Sequence, residues 1–336
     1  MSLPALVAHA DWSAHPPKRW MARAVLQPGG GYLVLPPAPV GTLDDFWLRL
    51  EANAPSGSIL IGFDFPIGLP AAYAERAGIN DFREGLDRFD GDFYRVAQSP
   101  EEISLARPFY PDRPGGRSRR DLLEGLGLEN WDLVHRRCDR ATASRPAACP
   151  MFWTLGGNQV GKAAISGWRE LLAPARRSGT DLAIWPFDGP LAALLRTHRF
   201  IVAETYPGEV YGHLELRPAL RSQGGKRRQA ARAACADALL AWAERREVFL
   251  APALADEVTA GFGPEPGADD RFDAVVGVCG ILNVVRGGRP SGEPDDPVVR
   301  RIEGWILGQS GGAEFAAGGE PGYAAPVGVS FDERSG

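Results

Sequence analysis

Cysteine is scarce in this chain. Four of its 336 residues are cysteines (Cys138, Cys149, Cys235, Cys279), scattered without a CxxC pair or matching histidine spacing. That pattern argues against zinc and fits reduced thiols of a cytoplasmic protein. No run approaches the ~20 apolar residues that a membrane span needs. The opening MSLPALVAHADWS has no basic stretch before its short apolar run, so it does not read as a signal peptide. An excess of positive charge is missing too. With a net charge of −5, any contact with nucleic acid must come from a local patch. There is no internal repeat.

What is present is the composition of a folded protein, 44% hydrophobic and 24% charged. A chain of this length can bury a large core, as one domain with an insertion or as two domains. Its organising stretch is SILIGFDFPIGLP at 58–70. Ile59, Leu60, Ile61 and Phe63 suit a strand buried on both faces. The run ends at Asp64, and Pro66 then stops the ladder. A carboxylate at the end of a buried strand needs a partner. The carboxyl edge of an open α/β sheet is where ligands sit, while the plainer role for Asp64 is to cap the turn into a helix at 70–78.

The same pattern recurs along the chain. Residues 3–10 form an apolar segment ending in Asp11, and two strands follow at 19–26 and 32–35, joined by Gly29-Gly30-Gly31. With a helix at 42–52 and the strand at 59–64, this makes a β-β-β-α-β unit. If the first and fourth strands are parallel neighbours, Asp11 and Asp64 face each other. Residues 79–198 are rich in Arg, Pro and Gly and read as a largely helical insertion over the acidic edge. Helices are expected within it at 119–125, 131–140 and 160–172. The sheet resumes at 200–203, again running into an acid, Glu204. Helices are expected at 226–244, from 269 to about 285, and at 295–307. The expected organisation is a discontinuous core of residues 1–78 and 199–310, the insertion, and a flexible tail at 311–336.

Four elements thus begin or end in acids: Asp11, Asp64, Glu204 and the pair Asp270/Asp273. The pair lies three apart and shares a helix face, which continues through Ala274, Gly277 and Gly280. Glycine costs about 1 kcal/mol against alanine inside a helix, so two of them imply close packing. The plainer account of the pair is a helix start, with Asp269 as N-cap and acids favoured by the helix dipole. Acids converging without basic partners repel one another, and hard oxygen-binding cations, Mg²⁺ or Mn²⁺, relieve this. Two such ions ~3.5–4 Å apart support phosphodiester displacement.

These features together resemble the ribonuclease H-like superfamily, and within it the domain-of-unknown-function family of predicted RNase H-like nucleases. The motifs that carry the resemblance are His9-Ala10-Asp11-Trp12, Phe63-Asp64-Phe65-Pro66-Ile67-Gly68-Leu69-Pro70, Glu204-Thr205-Tyr206-Pro207, Asp269-Asp270-Arg271-Phe272-Asp273-Ala274, and Glu303-Gly304-Trp305-Ile306-Leu307-Gly308. The resemblance implies an α/β fold with a ribonuclease H-like mixed sheet of β-β-β-α-β-α-β-α type and a largely helical insertion. It implies Asp11, Asp64, Asp270 and Asp273 as ligands of two Mg²⁺ or Mn²⁺ ions, with Glu204 beside them in the catalytic set. The expected activity is metal-dependent hydrolysis of nucleic acid, DNA or RNA, in the cytoplasm and away from membranes. The long insertion and the Phe272 position depart from a minimal ribonuclease H.

Residues 156–163, GGNQVGKA, satisfy the G-x-x-x-x-G-K spacing of a phosphate-binding loop, but Ala163 lacks the hydroxyl that such a loop supplies to Mg²⁺. Gln159 and Lys162 are better placed to hold a substrate phosphate at a helix start. Arg117, Arg119 and Arg120 head one basic run that could contact phosphates, although a solvated surface is the default for any such run. An ATP-binding phosphotransferase using the 156–162 loop, or a non-catalytic nucleic-acid-binding protein, are the alternative functions.

Overall fold

The apolar runs pair first with their sequence neighbours. In a computed structural model describing residues 2–115, 117–142, 145–155 and 160–310, β1 (Leu6–Asp11), β2 (Trp20–Leu26) and β3 (Tyr32–Pro39) form an antiparallel meander. The helix Phe46–Asn53 crosses over and delivers β4 (Ile59–Phe63) parallel to β1. Beyond it, β6 (Phe200–Glu204) lies parallel to β4, and β5 (Leu182–Ile184) parallel to β6. β7 (Val248–Leu250) runs parallel to β3 at the far edge. The protein is therefore α/β, with a seven-stranded mixed sheet in the order β5-β6-β4-β1-β2-β3-β7.

Alternation along the strands splits the core in two. Leu6, Ala8, Ala10, Ile59, Ile61, Phe63, Phe200 and Val202 face one layer, which holds the helix Phe46–Asn53 and most of the insertion. Val7, Leu60, Ile201 and Ala203 face the other, which is centred on the long helix Ala268–Val285. From Ala274 to Val285 that helix is apolar on nearly every side, as a helix enclosed by protein must be.

Gly277 and Gly280 let it lie close, as their spacing implies. A Cβ on Gly277 would fall 2.2 Å from His9 Nδ1 on β1. One on Gly280 would fall 2.4 Å from Val210, on the helix Pro207–His213 rather than on the sheet.

Several expected boundaries differ. β5 lies inside residues 79–198 yet belongs to the sheet, so the insertion does not run unbroken to 198. β5 is only three residues long and runs straight into Trp185-Pro186-Phe187, and β7 is equally short and runs into Ala251-Pro252, so neither stands out as a strand. The expected helix at 226–244 is a turn, a short helix Gln229–Ala233 and a second helix Ala236–Arg245. The 131–140 segment forms two 3-10 turns, Trp131–Val134 and Arg137–Asp139. The last helix is a single π-helical stretch, Val299–Glu303. Gly267, not Asp269, caps the long helix. Residues 311–336 lie outside the described residues. Among the described residues, no helix is long and apolar enough to cross a membrane.

Candidate active site

Strand register decides where each acid points. With Ala10 opposite Phe63 in the parallel β1–β4 pair, Asp11 and Asp64 come level at the carboxyl edge. Alternation turns both toward the long-helix face. The Trp12 backbone N–H donates to Asp64 Oδ1 at 2.6 Å, and the Asp11 carboxyl hydrogen-bonds to Asp64. Trp12 itself is anchored on the opposite face, its Nε1 donating to Ser166 Oγ at 2.9 Å and its ring edge-on to Phe63 and Phe65. The long helix adds a third acid. Asp273 is buried and accepts hydrogen bonds from the Tyr211 hydroxyl and the Lys226 ammonium. Asp270, one turn earlier, is half-buried and reaches Asp11 only through its charge.

Burial governs the ionisation of this group. It pushes Asp11 well above the carboxylate range, and the charges of Asp64 and Asp273 push it further. It raises Asp64 to about 7, against the pull of the Trp12 N–H. Two carboxyls in contact thus retain a proton near neutrality, as like charges sharing a site do. Asp273 is raised by burial while Lys226 and Tyr211 work against it. Asp270 is raised by burial and then by Asp269. At Lys226, burial opposes the charge, but Asp273 and then Asp11 outweigh it and hold the ammonium above its usual range. Asp11, Asp64 and Asp273 line a cleft of about 610 Å³. Lys18 and His15, from the turn after β1, and Lys162, from the helix Val160–Gly167, also border it.

Glu204 borders the same cleft but faces away from these acids. In the β4–β6 register it lies level with Phe63, and Thr205 follows level with Asp64. The one-residue offset turns its side chain to the opposite face of the sheet. There both carboxylate oxygens accept from the fully buried Arg136, at 2.6 and 2.7 Å, and Oε2 also accepts from the Ile67 N–H at 2.7 Å. Arg136 pairs with Asp139 as well, at 2.9 Å. Burial raises the Glu204 carboxyl and Arg136 pulls it back. Glu204 thus ties the sheet edge to the insertion, with both its oxygens engaged by Arg136.

The expected phosphate-binding residues divide in the same way. Lys162 borders the cleft, with Nζ 3.2 Å from the Asp112 carbonyl oxygen and 3.3 Å from its Oδ1. Gln159 lies outside the described residues. Arg117, Arg119 and Arg120 do not line the cleft. They sit at the start of the helix Arg119–Leu126, where Arg120 pairs with Glu124 at 2.6 Å and Arg119 lies 4.7 Å over the Trp131 ring. Lys226 and Tyr211 are the site residues that sequence reasoning missed. Lys226 read as part of a basic helical run. The pair Gly224-Gly225 just before it was the available sign that the chain turns there.

Among the described residues, no three carboxylate, imidazole or thiol groups form a ready cation cradle. The donor chemistry nonetheless suits a hard cation, because every acid at the cleft offers carboxylate oxygen. Asp11 and Asp64 also fit by placement, since a cation between them would replace the proton they retain. Asp273 fits only if the Lys226 ammonium moves off it. Comparison with protein-family models, with curated proteins and with solved structures finds no match to this chain.

Proposed function

We infer that this protein is a divalent-cation-dependent phosphodiester hydrolase acting on nucleic acid. The observation that carries the reading is the level pairing of Asp11 and Asp64 at the carboxyl edge of parallel neighbours, with Asp273 brought to the same cleft by the long helix. The architecture supports it. An antiparallel β1–β2–β3 meander followed by parallel β4 and β6 on the other side of β1 agrees with the sheet that the ribonuclease H-like resemblance implies. The motif resemblance points the same way. A cleft bordered by acids on its floor and by Lys18 and Lys162 at its sides suits a phosphate anion that must approach carboxylates.

Asp11 and Asp64 would hold the cation, Mg²⁺ or Mn²⁺, and Asp273 would complete the oxygen set once Lys226 has moved off it. When bound, one or two such ions stabilise the attacking and leaving oxygens of an in-line displacement at phosphorus. Trp12 fixes Asp64 through its backbone N–H, and Tyr211 fixes the Asp273 carboxylate. Lys18 and Lys162 position the substrate phosphate. Glu204, held by Arg136, has a structural part and no place in this set.

The test is cleavage of single- and double-stranded DNA and RNA with Mn²⁺ or with chelator, using wild type, Asp64→Asn and Glu204→Gln. Wild type should cleave at least one substrate only with the cation. Asp64→Asn should lose about 10²-fold or more, whereas Glu204→Gln should keep cleavage in whatever fraction stays folded. Undiminished cleavage by Asp64→Asn would remove the assignment. Nucleic acid bound by wild type without any cleavage would turn the reading to a non-catalytic binding protein.

A further inference from the structure

Lys226 stands inside the acid cluster, and the chain is shaped to put it there. It stands in the loop between the helices Arg217–Ser222 and Gln229–Ala233, directly after Gly224 and Gly225, whose φ angles are 83° and 91°. Only glycine adopts two successive residues of this kind without strain. The Gly225 N–H closes on Leu220 O at 2.7 Å, which turns the chain back toward the sheet. The Lys226 carbonyl is then clamped by Arg232, Nη1 to O 2.6 Å. The same buried guanidinium reaches the carbonyls of Gly261 at 2.9 Å and Gly263 at 2.6 Å. The backbone is therefore fixed, while 38% of the side chain is still exposed and it borders the cleft.

Its ammonium donates to Asp273, and Asp11 is the next charge it meets. Tyr211 holds Asp273 from the other side, its ring 6.0 Å from Phe272 at an interplanar angle of 26°. The third carboxylate of the cluster is thus kept in place by one donor and neutralised by the other.

On the reading given above, we propose that Lys226 is a resident counter-ion which competes with the divalent cation for Asp273, so that cation binding and release of Lys226 into the cleft are one exchange. An ammonium and a divalent ion on one carboxylate repel each other strongly in a partly buried site, so the two states exclude one another. The lysine keeps the acids neutralised in the empty protein. Once displaced, it is set free at the cleft wall, where it would meet a phosphate entering the cleft. Cation loading and phosphate affinity are thereby coupled, and by linkage each strengthens the other.

The experiment measures Mn²⁺ affinity by electron paramagnetic resonance of the free ion, without substrate. It uses the full chain as wild type, Lys226→Met, Lys226→Gln and Lys226→Arg, with circular dichroism confirming the fold of each. Both neutral variants should bind Mn²⁺ about tenfold or more tightly than wild type, while the charge-preserving Lys226→Arg stays close to it. The glutamine variant keeps a hydrogen-bond donor for Asp273 and so covers the case in which the methionine variant fails to fold. Equal or weaker binding by the neutral variants, with wild type binding normally, would overturn the exchange and leave the proposed function standing. No Mn²⁺ binding by any of the four would overturn both.

Discussion

Asp11 and Asp64 form a pair of carboxyls that burial keeps partly protonated, and this has a consequence for stability. The Asp64 carboxyl moves from an ordinary 3.8 to about 7 on folding. Between those values the folded state binds the extra proton, so this contribution falls as the pH rises from about 4 to about 7 and levels off above. His9, driven by burial from 6.5 down to about 3, has the opposite sign, and its contribution is lost as the pH falls below 6.5. Because His9 is common to wild type and Asp64→Asn, it cancels in their difference. In chelator, urea unfolding of wild type relative to Asp64→Asn should show a stability difference that moves in the variant's favour from about pH 4 to 7. A difference independent of pH would mean that Asp64 titrates as an ordinary exposed carboxyl.

The long helix owes its position to glycine at the point where it crosses β1. Replacing Gly277 by alanine gains about 1 kcal/mol of helix propensity. It also places a methyl 2.2 Å from a rigid imidazole that is itself fully buried. Overpacking of this kind costs about 1–3 kcal/mol. The helix must then shift, and Asp273 shifts with it, one turn away on the same face. With a cost of about 2 kcal/mol, Gly277→Ala should lower the unfolding free energy by about 1 kcal/mol once the helix gain is subtracted, and weaken Mn²⁺ binding. The double variant with His9→Ala should recover part of both. A single variant as stable as wild type would show that the helix has room to spare.

Across the whole molecule, the insertion is tied to the core by guanidinium groups, those of Arg136 and Arg145 being buried. Arg136 joins it to Glu204 on β6, and Arg137 to Asp296 at 2.6 Å. Arg145 joins it to Glu209, on the same short helix that presents Tyr211, and also donates to the carbonyls of Cys138 at 2.6 Å and Pro146 at 2.9 Å. Both members of the Arg145–Glu209 pair are 4% exposed. Removing one partner of such a pair costs about 3–5 kcal/mol, because the other charge stays buried. Arg145→Met should lose this much in urea unfolding and expose the insertion to limited proteolysis before the core. Adding Glu209→Leu should restore most of the loss. An Arg145→Met protein as stable and as resistant as wild type would mean that the insertion holds to the core without this pair.

How much of this was legible beforehand follows from which interactions are local. The apolar runs ending in Asp11 and Asp64 declare two buried strands, because hydrophobic run length and a terminal acid are properties of the sequence. The β-β-β-α-β order likewise follows from glycine turns and a helix-length crossover, and the glycines at 277 and 280 announce a close helix contact. Glu204 was misplaced because its direction depends on register against β4, and one residue of offset reverses a strand's faces. Arg136 and Lys226 approach from segments 68 and 47 residues away from the carboxylates they meet. Sequence alone therefore left five bare acids, on four elements, repelling one another. The strands and their acids were written in local pattern. Which acids face one another, and which cation faces each, was decided by tertiary structure, because register and long-range ion pairing exist only once the sheet has assembled.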